Sequence, residues 1–146
     1  MDLFEQYPVL VGCGHPYRAP GHVPELPLDQ LKRLNFLDLN GKDMALDRER
    51  TQRLTYDLGQ TLDIPVVSGS DTHQAVQYGC IATCFEGTFD TVEEMHQEML
   101  AGRYEIQLVD SAAFQVRTAC LLKRSLKEIY ALGGDYVAVL TKAVSA

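Results

Sequence analysis

Ile64-Pro65-Val66-Val67-Ser68-Gly69-Ser70-Asp71-Thr72-His73 reads as a short buried strand that breaks into a polar turn. The apolar run is bounded by turn-forming residues, as a strand inside an α/β sheet is. In such sheets, sites collect beyond the carboxyl ends of the strands. Asp71 and His73 stand there two residues apart, and a carboxylate oxygen with an imidazole nitrogen suits a shared divalent metal. The same pattern would also serve a helix cap.

Two upstream segments share this form. Val9-Leu10-Val11-Gly12-Cys13-Gly14-His15-Pro16-Tyr17-Arg18 runs from an apolar strand to a histidine, which Pro16 keeps out of a helix. Asn35-Phe36-Leu37-Asp38-Leu39-Asn40-Gly41-Lys42-Asp43 is a short strand that breaks at Asn-Gly. Strands are expected at Val9–Cys13, Phe36–Leu39, Pro65–Ser68, Cys80–Phe85 and Tyr104–Leu108. Helices are expected between them. One spans Leu46–Leu62 with Leu54, Leu58 and Leu62 on its apolar face, and one begins at Asp90 or Thr91, with Glu93 or Glu94 completing a capping box. Val92, Met95 and Met99 form its buried stripe, and Gly102 stops it.

In this order, Gly-His-Pro-Tyr-Arg, Asp-Leu-Asn-Gly-Lys-Asp and Ile-Pro-Val-Val-Ser-Gly-Ser-Asp-Thr-His resemble the later part of the PHP (polymerase and histidinol phosphatase) domain family, over residues 9–108. The resemblance implies an α/β fold of parallel strands alternating with helices, the second half of a distorted (β/α)7 barrel. It implies a metal-dependent phosphoesterase with a cluster of divalent metals. His15, Asp71 and His73 match metal ligands of the family. The family's opening His-x-His pair and bridging glutamate have no counterpart among the histidines at 15, 22, 73 and 96. The chain thus resembles an incomplete C-terminal half, expected to hydrolyse phosphate esters poorly by itself. It is a piece of a longer protein, the partner of a separately encoded half, or a non-catalytic remnant that serves assembly or binds a small anion.

Around the expected metal, Arg18 and Lys42 are candidate cations for substrate phosphate. Asp38 is placed behind the ligands, orienting one of them or a lysine. Histidine and carboxylate ligation suits Zn, Mn or Fe. No residue stands out as a catalytic base. His22 and His96 carry no motif, and each is read as an ordinary loop or surface histidine.

The 146 residues suit one domain, with residues 111–146 as a helical extension whose stripe is Ala119, Leu122, Leu126 and Ile129. Tyr136–Leu140 then reads as a last strand or short helix, and Pro20–Pro27 as a loop. A net charge of −7 disfavours nucleic-acid or anionic-membrane partners. Arg117, Lys123, Arg124 and Lys127 are read as a solvated helix face. The four cysteines lack metal or disulfide spacing and are expected as reduced thiols. With no apolar run near ~20 residues, a cytoplasmic location is expected. A half-barrel with open strand edges is expected to form a homodimer.

Overall fold

A computed structural model describes residues 4–18, 25–135, 137–138 and 141–142. Three strands, β1 (Gly12–Cys13), β2 (Phe36–Asp38) and β3 (Val66–Val67), form a parallel sheet in the order β1-β2-β3. Gly12 pairs with Phe36 and Leu37 with Val66, which brings all three carboxyl ends to one side. The chain is therefore mixed α/β.

Helices fill the connections. The short α1 (Leu28–Leu31) precedes β2, while α2 (Gly41–Leu46) and α3 (Arg48–Leu62) lie between β2 and β3. The single helix expected over Leu46–Leu62 starts two residues later, because Asp47 is extended (φ −149°) and accepts from Arg50 N, capping α3. Its buried face is Thr51, Thr55, Gly59 and Leu62, so of the expected leucine row only Leu62 is fully buried, with Leu58 packed partly against the core. Small residues let α3 approach the sheet: a Cβ on Gly59 would come within 2.8 Å of Val66 Cγ2.

The second half departs from the all-parallel expectation. Strands β4 (Ile81–Phe85) and β5 (Tyr104–Leu108) form a separate antiparallel pair, with Ile81 opposite Leu108. Helix α4 (Val92–Leu100) joins them, and its Thr91–Glu94 capping box forms as expected. Met99 is buried, Met95 is half-buried and Val92 is exposed. The last long helix, α5 (Ala112–Ala131), packs against α2 and a 3-10 turn at Ala75–Gln77. It buries Ala112, Val116 and Ala119, so the seat lies further toward its amino end than the expected stripe.

One core joins these layers. Leu37, Leu39, Met44, Leu62 and Val66 meet Cys80, Ile81, Ala112 and Val116 in a single cluster. Leu37, Leu39, Cys80 and Val116 are wholly enclosed. Burial of each such side chain contributes roughly 1.5–3 kcal/mol. Val137, Ala138, Thr141 and Lys142 are helical, begun by Asp135, whose carboxylate accepts from Val137 N and Ala138 N. The remainder of the expected Tyr136–Leu140 element lies outside the described residues, as do His22 and Pro20–Pro24 of the expected loop. Among the described residues, no helix is long and apolar enough to cross a membrane.

Candidate functional site

The carboxyl ends of β2 and β3 are tied together by Asp38. Its Oδ1 accepts from Gly69 N at 3.0 Å and its Oδ2 from Asn40 Nδ2 at 3.1 Å, with His15 N a third donor. Burial nevertheless pushes the Asp38 carboxyl above its ordinary value, and these hydrogen bonds pull the other way. Asp38 thus ties the loops after β2 and β3 together.

Asn40 relays this to the neighbouring loop. Its Oδ1 caps α2 by accepting from Lys42 N and Asp43 N, and it also accepts from Arg18 Nη2 at 2.6 Å. Arg18 grips Asp43 with two further bonds, Nε to Oδ1 at 3.2 Å and Nη2 to Oδ2 at 2.9 Å. The same Nη2 lies 3.0 Å from Asp71 Oδ2. That contact lacks hydrogen-bond geometry, so Asp71 Oδ2 is buried with the Arg18 charge as its neighbour. Burial lowers the guanidinium pKa, but the hydrogen bond and charge of Asp43, and then Asp71, outweigh it and hold Arg18 charged.

Asp71 sits in a left-handed conformation (φ 50°), as does His15 (φ 39°). The third such residue outside glycine, Asp63, simply ends α3. A side chain in this region costs of order 1 kcal/mol. At Asp71 the turn is enforced by Gln77, a buried amide that the sequence reading passed over. Its Oε1 accepts from His73 N and Gln74 N, and its Nε2 donates to Asp71 O. His73 Nδ1 lies 2.9 Å from the same carbonyl. A carbonyl can only accept, so that contact requires a proton on Nδ1 and leaves Nε2 of neutral His73 with its lone pair exposed.

Two cavities flank Arg18, which lines both. One, of about 90 Å³, is lined by Asp71, His73, Lys42 and Gln77, with Lys123 from α5. The other, of about 260 Å³, includes His15, Tyr17, Asp38, Asn40 and Asp43. The structure therefore brings Asp71, His73, Arg18 and Lys42 together, and His15, whose ring is exposed, lines the other side of Arg18. Among the described residues, no three His, Cys, Asp or Glu side chains are grouped to hold a metal.

Asn40 and Asp43 were legible as a turn but not as partners of Arg18, which lies 22 and 25 residues away. Lys123, expected on a solvated helix face, also lines the smaller cavity. The thiols follow expectation: all four cysteines are free, and burial, with the charge of Asp38, pushes Cys13 up to about 11. His96 is half-buried and lines a separate pocket of about 310 Å³ with Val92 and Glu93.

No protein-family profile matches the chain, and no curated protein is significantly similar to it. Its fold is similar to the crystal structure of PsfC from Pseudomonas syringae PB-5123, with a TM-score of 0.66 at 21% identity over 86% of this chain. The chain spans about half of that structure, 50% of its length.

Proposed function

We propose that the chain is the C-terminal half of a PHP-like, metal-dependent phosphoesterase, with Asp71 and His73 as its metal-facing pair. The tautomer of His73 carries the reading. A metal-bound histidine commonly donates its other ring nitrogen to a carbonyl, which fixes the ring and directs the free lone pair at the metal. His73 has this arrangement on Asp71 O, beside an Asp71 oxygen that has no hydrogen bond.

Two donors do not complete a site, so the remaining ligands come from outside the described residues on this reading. His15, half-way around Arg18, joins them only if its turn swings inward. When bound, divalent cations lower the pKa of water and neutralise phosphoryl oxygens. The chain's own residues supply the setting. Arg18, its Nε and Nη2 engaged by Asp43 and Asn40, is a fixed positive charge beside the site, Lys42 offers a point charge, and Asp38 fixes the spacing of the loops.

A second reading has its own support. Arg18, Lys42 and Lys123 surround a cavity holding one carboxylate, Asp71, and neither lysine has an ion pair among the described residues. Such a site would take a small anion such as phosphate without any metal.

One titration series separates the two. Calorimetry with Zn²⁺ or Mn²⁺ should give at most one weakly bound ion per chain, abolished by Asp71→Asn and by His73→Ala. Binding that neither substitution changes would refute the metal reading. Phosphate binding that is lost in Lys42→Ala but indifferent to added metal would favour the second.

A further inference from the structure

The long helix α5 has two apolar faces. Ala112, Val116 and Ala119 are seated in the core. At about 100° per residue, Phe114, Leu121 and Leu132 fall within roughly 20° of one another on the opposite side. They are 71%, 66% and 87% exposed, and among the described residues nothing covers them. The stripe runs about 27 Å along the helix. A surface helix needs one apolar stripe to fold against its domain, and a second one marks a contact surface.

We propose that two copies of this chain pair antiparallel along this outer face of α5. The charges beside the stripe select that occupant. Arg117 and Glu128, both exposed, lie on the same flank of the helix. A two-fold axis perpendicular to the helix pair keeps equal flanks together, and placed near residue 123 it sets Arg117 against the partner's Glu128, twice. The same register places Phe114 against the partner's Leu132 and Leu121 against the partner's Ser125. One patch is thereby complementary to itself, as a two-fold interface requires. Arg124 of each copy approaches the axis on that flank, a like-charge contact that limits the affinity.

Sedimentation equilibrium over a dilution series tests the pairing. The mass should approach twice 16.3 kDa at high concentration and fall toward 16.3 kDa on dilution. Leu121→Glu, and separately Phe114→Lys at the other end of the stripe, should give monomers at every concentration with unchanged circular dichroism. Arg117→Glu should weaken pairing about tenfold, because two ion pairs become two repulsions. Adding Glu128→Arg should restore it, and Arg124→Gln alone should tighten it. A monomeric wild-type chain at high concentration overturns the proposal and leaves the face to some other partner. A dimer that survives Leu121→Glu, or a double charge reversal that recovers nothing, overturns it equally.

Discussion

Replacing Arg18 by Met removes the cation that joins three loops while keeping most of the aliphatic stem. The guanidinium makes one bond to Asn40 at 2.6 Å and two to Asp43 at 2.9 and 3.2 Å, and stands 3.0 Å from Asp71. Side-chain exposures of 25% for Arg18, 26% for Asp43 and 15% for Asp71 place the cluster between two regimes. Buried charge-assisted hydrogen bonds contribute roughly 1.5–3 kcal/mol each and exposed pairs about 0–1 kcal/mol. About 1 kcal/mol per lost bond is therefore reasonable. The substitution also leaves Asp43 and Asp71 without the charge between them, although water entering the two open cavities offsets part of that cost. The sum is a loss of about 3 kcal/mol, or roughly 6–12 °C in Tm for a chain of this size.

Thermal and urea unfolding followed by circular dichroism would measure it. Arg18→Lys should recover less than half, since an ammonium cannot reproduce the fork on Asp43. Arg53→Met, on the exposed side of α3, should stay within about 0.5 kcal/mol of wild type. If Arg18→Met melts within about 1 °C of wild type, the bridge is a surface contact and its assigned role is wrong.

Gly41→Ala should destabilise the site side of the sheet by about 1–3 kcal/mol, because the new Cβ would lie 2.5 Å from Ile81 Cγ2 and 3.0 Å from Ser70 Cα; unchanged urea unfolding would contradict this. Tyr104→Phe removes the 2.8 Å bond from its hydroxyl to Val66 O and should cost about 1 kcal/mol in the same assay. Asp38 is raised from 3.8 chiefly by burial, so the folded state holds its proton more tightly than the unfolded chain does. Its contribution must then decline as pH rises from below 3.8 through the raised value and level off above it. The unfolding free energy of wild type minus that of Asp38→Asn should fall across that window, and a rise would reverse the sign of the shift. In timed alkylation with mass-spectrometric readout, the half-buried Cys84 and Cys120 should react before Cys13 and Cys80, which are enclosed and have raised pKa values; labelling of Cys13 first would refute the burial argument.

Local pattern sufficed where a single segment decides its own structure. Tyr104–Leu108 has the expected bounds, Phe36–Asp38 and Ile81–Phe85 differ from expectation by one residue, and the Thr91 cap is in place. It failed where distant contacts decide. Nothing in Cys80–Phe85 or Tyr104–Leu108 encodes which way the chain returns after α4, so the antiparallel pairing was not legible. Threonines and glycine joined Leu62 on the buried face of α3, and Leu54 and Leu58 are only half-buried, because closeness to β3, and not apolar area alone, sets that face. At the site, Asp71, His73 and Lys42 were readable because each follows a strand end. The Arg18 bridge was not, since its partners lie 22, 25 and 53 residues away in sequence.

The antiparallel pair has a consequence for how the parallel sheet ends. Among the described residues, the edge of β3 away from β2 meets no strand, and side chains of β4 and β5 take three of the polar groups there. Thr83 Oγ1 takes Ser68 N at 2.8 Å and reaches Ser68 O at 3.1 Å, while Tyr104 supplies Val66 O. An edge partly occupied in this way is a poor template for another strand. That weakens, at β3, the ground for self-association through an open edge. The outer face of α5 is among the exposed apolar surfaces that remain, and on the pairing proposed above association should depend on Leu121 rather than on β3. The same side-chain ladder fixes Ser68, three residues before Asp71, so the strain at Asp71 is borne by a strand end anchored on both sides, to Asp38 through Gly69 and to Thr83 through Ser68.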